Sequence, residues 1–345
     1  MPQSPSIINK CVALSAGDPN SIAPLITLKA WLQLKDTNQY FVLVSNLKYM
    51  EAVLKYYNTN IPLKPVNTMN DVYSSFKEAL PIFNINTKPS YMAGVKNYHN
   101  SEFVLQSLDT ALYITNTNKT CALVTNPVDK SLVNKYCQRA NKLPFSGHTE
   151  YLAQKTHSLN PVMMMCTPDH NLKVVPLSTH MSLQNAIKSI KPTFIAKKVL
   201  IIHQFIQKHY GIKNPKYLFM GLNPHAGDHG LLGYEENQII IPTLKLLNSY
   251  NIRCEGPVAA DSAFIGNNMD KYDVIFGMYH DQVLTPFKTL FFDKGVNVTA
   301  GLNLIRTSPD HGVAFDIAKT KYANPNSLIA AISMAHRFAN SSLFL

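Results

Sequence analysis

Tyr217-Leu-Phe-Met-Gly-Leu-Asn-Pro-His225 is a hydrophobic run that ends at a polar, glycine-containing turn, and Glu235 to Ser249 behind it reads as a helix. A strand, a loop whose backbone a ligand can approach closely, and a helix returning to the sheet make one α/β unit. Two more runs stop in the same manner. Leu172-Lys-Val-Val-Pro-Leu-Ser-Thr ends at His180, and Tyr272-Asp-Val-Ile-Phe-Gly-Met-Tyr ends at His280. In an open α/β sheet the ligand crevice lies at the carboxyl ends of the strands, so these three imidazoles are expected to converge there. Three neutral imidazoles with positions left open for substrate form a catalytic rather than a structural metal site.

Working outward, strand-like and helix-like stretches alternate along the chain. Strands are expected at Cys11–Ser15, Phe41–Val44, Cys121–Thr125, around Leu218 and Val274, and at Val296–Thr299. Helices are expected at Ser21–Leu34, Leu47–Tyr57, Ser101–Asn116, Asp129–Gln138, Thr149–His157, Leu183–Ile190, Thr193–Tyr210, Glu235–Ser249 and Asn326–Phe338. Val162–Cys166 and Leu172–Leu177 suit a hairpin across Thr167-Pro-Asp-His-Asn171, and Ile82–Ser90 and Asn214–Lys216 read as loops. Such alternation implies a mostly parallel sheet with helices on both faces. No solenoid repeat or low-complexity tract interrupts it.

The 345 residues suffice for two domains or one large α/β unit. No apolar run is long enough for a membrane span, and Met1–Lys10 lacks the charged start and apolar core of a secretory leader, so a cytoplasmic protein is expected. Five scattered cysteines (Cys11, Cys121, Cys137, Cys166, Cys254) without Cys-x-x-Cys spacing argue against a disulfide framework or a thiolate zinc site. The net charge of +11, 32 basic minus 21 acidic residues, is dispersed and includes only four arginines. That suits attraction of phosphorylated small molecules better than nucleic-acid binding. The first turn, Ser15-Ala-Gly-Asp-Pro-Asn-Ser-Ile-Ala-Pro24, has one glycine, so a dinucleotide would bind by some route other than a Gly-x-Gly-x-x-Gly loop.

Several segments carry candidate chemistry, each beside a plainer reading. Gly147-His-Thr-Glu150 starts a helix, where backbone N–H groups favour anions; an ordinary capping turn is the alternative. Gly221-Leu-Asn-Pro-His-Ala-Gly227 offers Asn223 and His225 on an approachable backbone. Met278-Tyr-His-Asp-Gln282 puts His280 beside Asp281 with Lys288 further on, fitting metal or general-base work or a solvated loop pair. Asp261 is a lone acid in a small-residue turn and suits a helix cap. Arg306 opens Arg306-Thr-Ser-Pro-Asp-His-Gly312 and suits a bidentate anion contact or a surface salt bridge. The other histidines lack such settings.

Taken in order, Thr125-Asn-Pro-Val-Asp-Lys130, Pro144-Phe-Ser-Gly-His-Thr-Glu150, Gly221–Gly227, Gly256-Pro-Val-Ala-Ala-Asp261, Met278–Gln282 and Arg306–Gly312 resemble the 4-hydroxythreonine-4-phosphate dehydrogenase family of the vitamin B6 pathway. The resemblance runs from about residue 11 to 335. It implies an isocitrate/isopropylmalate dehydrogenase-like fold, with two α/β domains and a cleft between them. Residues 1–146 with 301–345 would contribute NAD binding, and 147–300 would carry the metal ligands and dimer interface. By the same resemblance His180, His225 and His280 bind a divalent metal (zinc, cobalt, manganese or magnesium). His148, Thr149, Lys288, Asn297 and Arg306 bind substrate, and Asp281, Asp261 and Lys288 are candidates for proton transfer. NAD or NADP is implied at Asn223, Gly227, Asp310, His311, Gly312 and Asp316. The implied assembly is a homodimer whose metal site draws on both subunits. The implied reaction oxidises 4-phosphooxy-L-threonine to 2-amino-3-oxo-4-phosphooxybutanoate, which decarboxylates to 3-amino-2-oxopropyl phosphate.

The departure from the family pattern is Asp18-Pro-Asn-Ser-Ile-Ala-Pro-Leu25, which lacks two glycines and a glutamate. A competing reading keeps fold and metal but takes a four-carbon sugar-acid phosphate, erythronate or threonate 4-phosphate. A phosphate acyltransferase would need no histidine triad, and a nucleic-acid binder would need the charge gathered into a patch.

Overall fold

Short β-branched and aromatic runs between polar turns become the strands of this protein, and the amphipathic stretches between them become its helices. The computed structural model describes residues 10–117 and 119–341; the leader reading of Met1–Lys10 lies almost wholly outside them. In chain order the first elements are β1 (Val12–Ser15), α1 (Ala23–Leu34), β2 (Phe41–Ser45), α2 (Leu47–Tyr57), β3 (Leu63–Val66), α3 (Met69–Ser75) and β4 (Leu80–Asn84). Next come α4 (Ser101–Asn116), β5 (Ala122–Thr125), α5 (Lys130–Arg139), α6 (His148–Lys155), β6 (Val162–Thr167), β7 (His170–Pro176), α7 (Leu183–Ser189) and α8 (Pro192–Tyr210). The rest are β8 (Lys216–Met220), α9 (Ile241–Ser249), β9 (Arg253–Val258), α10 (Asn268–Lys271), β10 (Val274–Gly277), α11 (His280–Phe291), β11 (Val296–Ala300), β12 (Arg306–Pro309) and α12 (Asn326–Ser341).

The chain divides into two compact units, Met1–Thr156 with Asn303–Asn340, and His157–Leu302 with Ser341–Leu345. In the first, strands β3-β4-β2-β1-β5-β12 are parallel throughout. Strands β1, β2 and β5 are buried along their whole length, as parallel strands covered on both faces must be. Helix α4 covers β1, β2 and β5 with Phe103, Val104, Leu108, Ala111 and Leu112. The spacing of these residues marks one face of a helix.

The second unit is mixed, in the order β11-β6-β7-β10-β8-β9. The β6–β7 pair is the hairpin expected from sequence, while β7, β10, β8 and β9 run parallel. Phe219 stacks flat on Phe276 with centroids 4.7 Å apart, which locks β8 to β10. Val283, Leu284 and Phe287 seat α11 in a core with Met165, Leu172, Leu218 and Ile275. Truncating one such side chain to alanine costs about 2–5 kcal/mol.

Three readings differ from the structure. Ile82–Ser90 overlaps β4, because Pro81 just before the run mimics a break while the neighbouring β3 and β2 still supply partners. Helix α11 begins at His280; Pro286 in its interior obscured it, and the apolar face is what holds it. Arg306 starts a strand rather than a loop, since the polar Arg-Thr-Ser-Pro sequence is buried by what surrounds it.

Candidate active site

His180, His225 and His280 follow β7, β8 and β10, which are spatial neighbours in the order β7-β10-β8 and run parallel. Their turns therefore share one edge of the second unit's sheet. His180 and His280 come together, with ring centroids 5.9 Å apart. Two imidazoles sharing one cation at metal–nitrogen distances near 2.0–2.1 Å would place their centroids about 5–6 Å apart, so this pair suits two corners of a metal site. His280 Nδ1 donates to the Asp281 carboxylate at 2.6 Å, which leaves Nε2 as the nitrogen available to a cation. Among the described residues, no three His, Cys, Asp or Glu side chains lie close enough to hold a metal ion, so His225 is not gathered with the other two.

The His225 turn is built with care. His225, Ala226, Gly227, Asp228 and His229 all take left-handed backbone conformations, with φ of 52°, 52°, 80°, 41° and 56°. That conformation costs about 1–2 kcal/mol at each non-glycine position. Buried Glu236 offsets part of the cost: its Oε1 accepts from the backbone N–H groups of Leu222 and Asn223 at 2.7 and 2.8 Å. The Asn223 amide donates to Glu235 and Glu236. A Cβ on Gly227 would fall 2.6 Å from Glu236 Oε2, so the glycine makes room for this carboxylate. The sequence reading missed Glu236. A Glu-Glu pair shortly after a glycine-rich turn was the available signal.

A pocket of about 430 Å³ opens beside the histidine pair, lined in part by Ser178, His180, Leu183, Tyr279, His280 and Asp281. Asp281 is exposed, Lys288 lies two turns along the same helix and is half-buried, and Asp261 is exposed on a short turn at Ala260–Ser262. Asn297 sits on β11 with its side-chain oxygen buried and lacking a hydrogen-bond partner, a group prepared to accept from a ligand.

In the first unit, Arg306 on β12 is only 3% exposed, and its Nη2 donates to Thr125 Oγ1 at 2.7 Å. Burial draws its guanidinium down to about 10, which still leaves it charged, and Glu150 partly counteracts the shift. His148, at the first position of α6, is half-buried, and its Nε2 is buried without a partner. Desolvation, then the positive charges of Arg306 and Lys130, hold its pKa well below the ordinary imidazole value. The Lys130 side chain runs past Gly147, where a Cβ would come within 3.4 Å of Nζ. Arg306 and Lys130 thus place positive charge around neutral His148 and the start of α6, with Thr149 next along the helix, an arrangement whose chemistry suits an anion. Lys130 had been quoted in a motif without a role.

The departing N-terminal turn has its own logic. Asn20 donates from Nδ2 to Val95 O at 2.7 Å and accepts from Met92 N–H at 2.9 Å, and Ser21 Oγ donates to Asp18 O. These bonds fasten the turn to Met92–Val95, and Ile22 N–H donates to Val313 O, inside the Asp310–Asp316 segment. In that segment Asp310 N–H donates to Ser327 Oγ, His311 Nδ1 donates to Gly312 O, and Asp316 is exposed. Asp18, 3% exposed, is pushed up to about 6 by burial.

With this geometry in place, comparison with known proteins is informative. The family described as Pyridoxal phosphate biosynthetic protein PdxA matches residues 37–335. A 4-hydroxythreonine-4-phosphate dehydrogenase of Xanthobacter autotrophicus is 38% identical, over 96% of this chain and 94% of that protein. One from Bradyrhizobium diazoefficiens is 37% identical over 96% and 97%. The crystal structure of 4-hydroxythreonine-4-phosphate dehydrogenase from Klebsiella pneumoniae superposes with a TM-score of 0.83 at 28% identity, covering 96% of this chain and 99% of that one.

Proposed function

The chain belongs to the pyridoxal phosphate biosynthetic protein PdxA family, and from that premise we propose that it oxidises 4-hydroxythreonine 4-phosphate with a nicotinamide cofactor. It is an oxidoreductase, and the observation that carries the substrate is the near full-length match to relatives named for that compound. The relatives reported above carry no sugar-acid phosphate in their names.

The chemistry of the side chains supports the reading. We propose that Arg306, Lys130 and the start of α6 take the substrate's anionic groups, while His148, kept neutral by its surroundings, donates or accepts a hydrogen bond rather than adding charge. Thr149, Lys288 and Asn297 are proposed as further substrate contacts. His180, His225 and His280 would hold a divalent cation, which when bound lowers the pKa of the substrate hydroxyl and steadies negative charge developing on decarboxylation. Zinc, cobalt and manganese suit imidazole nitrogen better than magnesium does. Asp281 orients the His280 ring through Nδ1, which leaves Asp261 or Lys288 for proton transfer. A nicotinamide cofactor, NAD or NADP, would supply the hydride acceptor when bound, and Asp310, His311, Gly312 and Asp316 are the residues proposed to hold it. Asn223 and Gly227, first expected there, are engaged in holding the His225 turn.

We further propose a cytoplasmic homodimer whose metal site takes ligands from both subunits. Support comes from His225 standing outside the His180–His280 pair within one chain. No helix among the described residues is long and apolar enough to cross a membrane.

The test follows reduced nicotinamide by absorbance, with 4-hydroxythreonine 4-phosphate and the erythronate and threonate 4-phosphates offered side by side. Turnover confined to the sugar acids would overturn the substrate. For the shared site, inactive His225→Ala and His280→Ala chains are mixed. If each site takes these two ligands from different subunits, one site per mixed dimer is restored and about a quarter of wild-type activity returns. No recovery in mixed dimers would place both ligands in one chain.

A further inference from the structure

The hydrogen bonds that join the three histidine turns meet at Met278 and Gln282. The Met278 carbonyl accepts from Ser178 N–H at 3.1 Å and from Ser178 Oγ at 2.8 Å, and Ser178 lies two residues before His180. The Met278 N–H, two residues before His280, donates to Gln282 Oε1 at 2.6 Å. Gln282 Nε2 in turn donates to Gly221 O at 2.8 Å, at the start of the turn that carries His225. The amide cannot be flipped, because one end faces a donor and the other an acceptor. Gly277 makes room for it: a Cβ there would meet Gln282 Oε1 at 3.0 Å and Val283 Cγ1 at 2.5 Å. On the far side Glu236 and Val258 O hold the Gly221–Asn223 backbone, so the tie ends on a fixed support.

We propose that Gln282 is a positioning residue for the metal site. It sets where the His225 turn stands relative to the His180–His280 pair in each chain. In the homodimer proposed above, the two-fold symmetry carries that placement to the ligands each ion takes from the two subunits, and so to the ion's affinity and coordination geometry. The inference rests on the three histidines being metal ligands, as proposed above. Gln282 itself touches no reacting atom. Groups behind the ligands of a metal commonly govern its affinity by about 10–100-fold. A simple strut would instead move the melting temperature of the metal-free protein and leave the ion's environment alone.

The experiment loads metal-free full-length protein with Co(II), reading affinity by competition with a chelator and geometry by visible absorption, with the metal-free melting temperature measured in parallel. Gln282→Met removes both hydrogen bonds at similar volume. Gln282→Glu keeps the acceptor for Met278 N–H and places an oxygen against Gly221 O, so it stands in should the first variant fold poorly. Both are expected to weaken Co(II) binding by about 10–100-fold and to shift the absorption bands, beside a fall of a few degrees in melting temperature from the lost hydrogen bonds, which by itself would leave the ion's environment alone. Variants that bind Co(II) with wild-type affinity and spectrum, while His280→Ala does not, would overturn the positioning role and leave the metal reading standing. Equal Co(II) binding by wild type and His280→Ala would overturn the metal reading itself.

Discussion

Arg306 lies within a parallel sheet at 3% exposure, whereas His180 and His225 stand on exposed turns beyond the ends of their strands. The first unit prepares its cationic pocket as part of its core. Arg306 is held by Thr125, His148 is kept neutral by desolvation, and α6 starts at the pocket. The second unit does the reverse, and mounts its imidazoles at strand ends joined to one another by a few hydrogen bonds. A charge that must meet an anion can be positioned by packing alone. A metal site built from several strand ends instead depends on the loops agreeing on a distance.

The contrast can be broken most decisively at His280. His280→Ala should lower kcat by about 10²–10³-fold while the metal-free protein melts as wild type does, because the ring sits half-buried at the start of α11 and not in the core. A large loss of melting temperature would put the imidazole on the structural side of the comparison.

Arg306→Lys keeps the charge but loses the planar fork. It should cut kcat/KM by about 10²-fold and also destabilise the fold, since Thr125 loses its partner. An unchanged melting temperature together with the kinetic loss would mean that the pocket is less tied to the core than we argue.

The pH dependence of stability sharpens the same point, because the first unit buries titratable groups of opposite sign. Asp18 titrates near 6 when folded, against 3.8 as its ordinary value, so the folded state holds its proton more tightly. Stability from this group therefore rises as pH falls from 6 toward 3.8. His336, drawn down to about 4 by burial, does the opposite and loses stability between pH 6.5 and 4. Asp18→Asn should stabilise the protein by about 2–3 kcal/mol at pH 7, with the gain gone near pH 4. His336→Gln, which can still donate to Tyr40 O, should gain a similar amount relative to wild type on acidification. Urea unfolding at a series of pH values measures both, and parallel curves for wild type and variants would refute the assignment.

The smallest effect is expected at Ser178→Ala, which removes one of two hydrogen bonds to Met278 O and leaves the backbone bond. A cost of about 1 kcal/mol in unfolding free energy would fit.

Much of this protein could be read before folding. Helices Leu47–Tyr57 and Ser101–Asn116 fall where periodicity put them, and the hairpin at Val162–Pro176 follows from two apolar runs around a Pro-Asp turn. The candidate side chains could be named as well, because a histidine after an apolar run, or a scarce arginine, stands out locally. Strand β12 was hidden because its burial comes from distant partners and not from its own composition, and helix α11 because Pro286 interrupts its pattern.

Sequence alone determined most of the strands, which loops carry polar chemistry, and the family those loops resemble. Only the tertiary structure decided that β7, β10 and β8 are neighbours, that Lys130 and Arg306 both act on His148, and that Gln282 spans two turns. The reason is physical: local propensity acts over a few residues, while strand order and hydrogen bonds between distant loops are chosen by the packing of the whole unit.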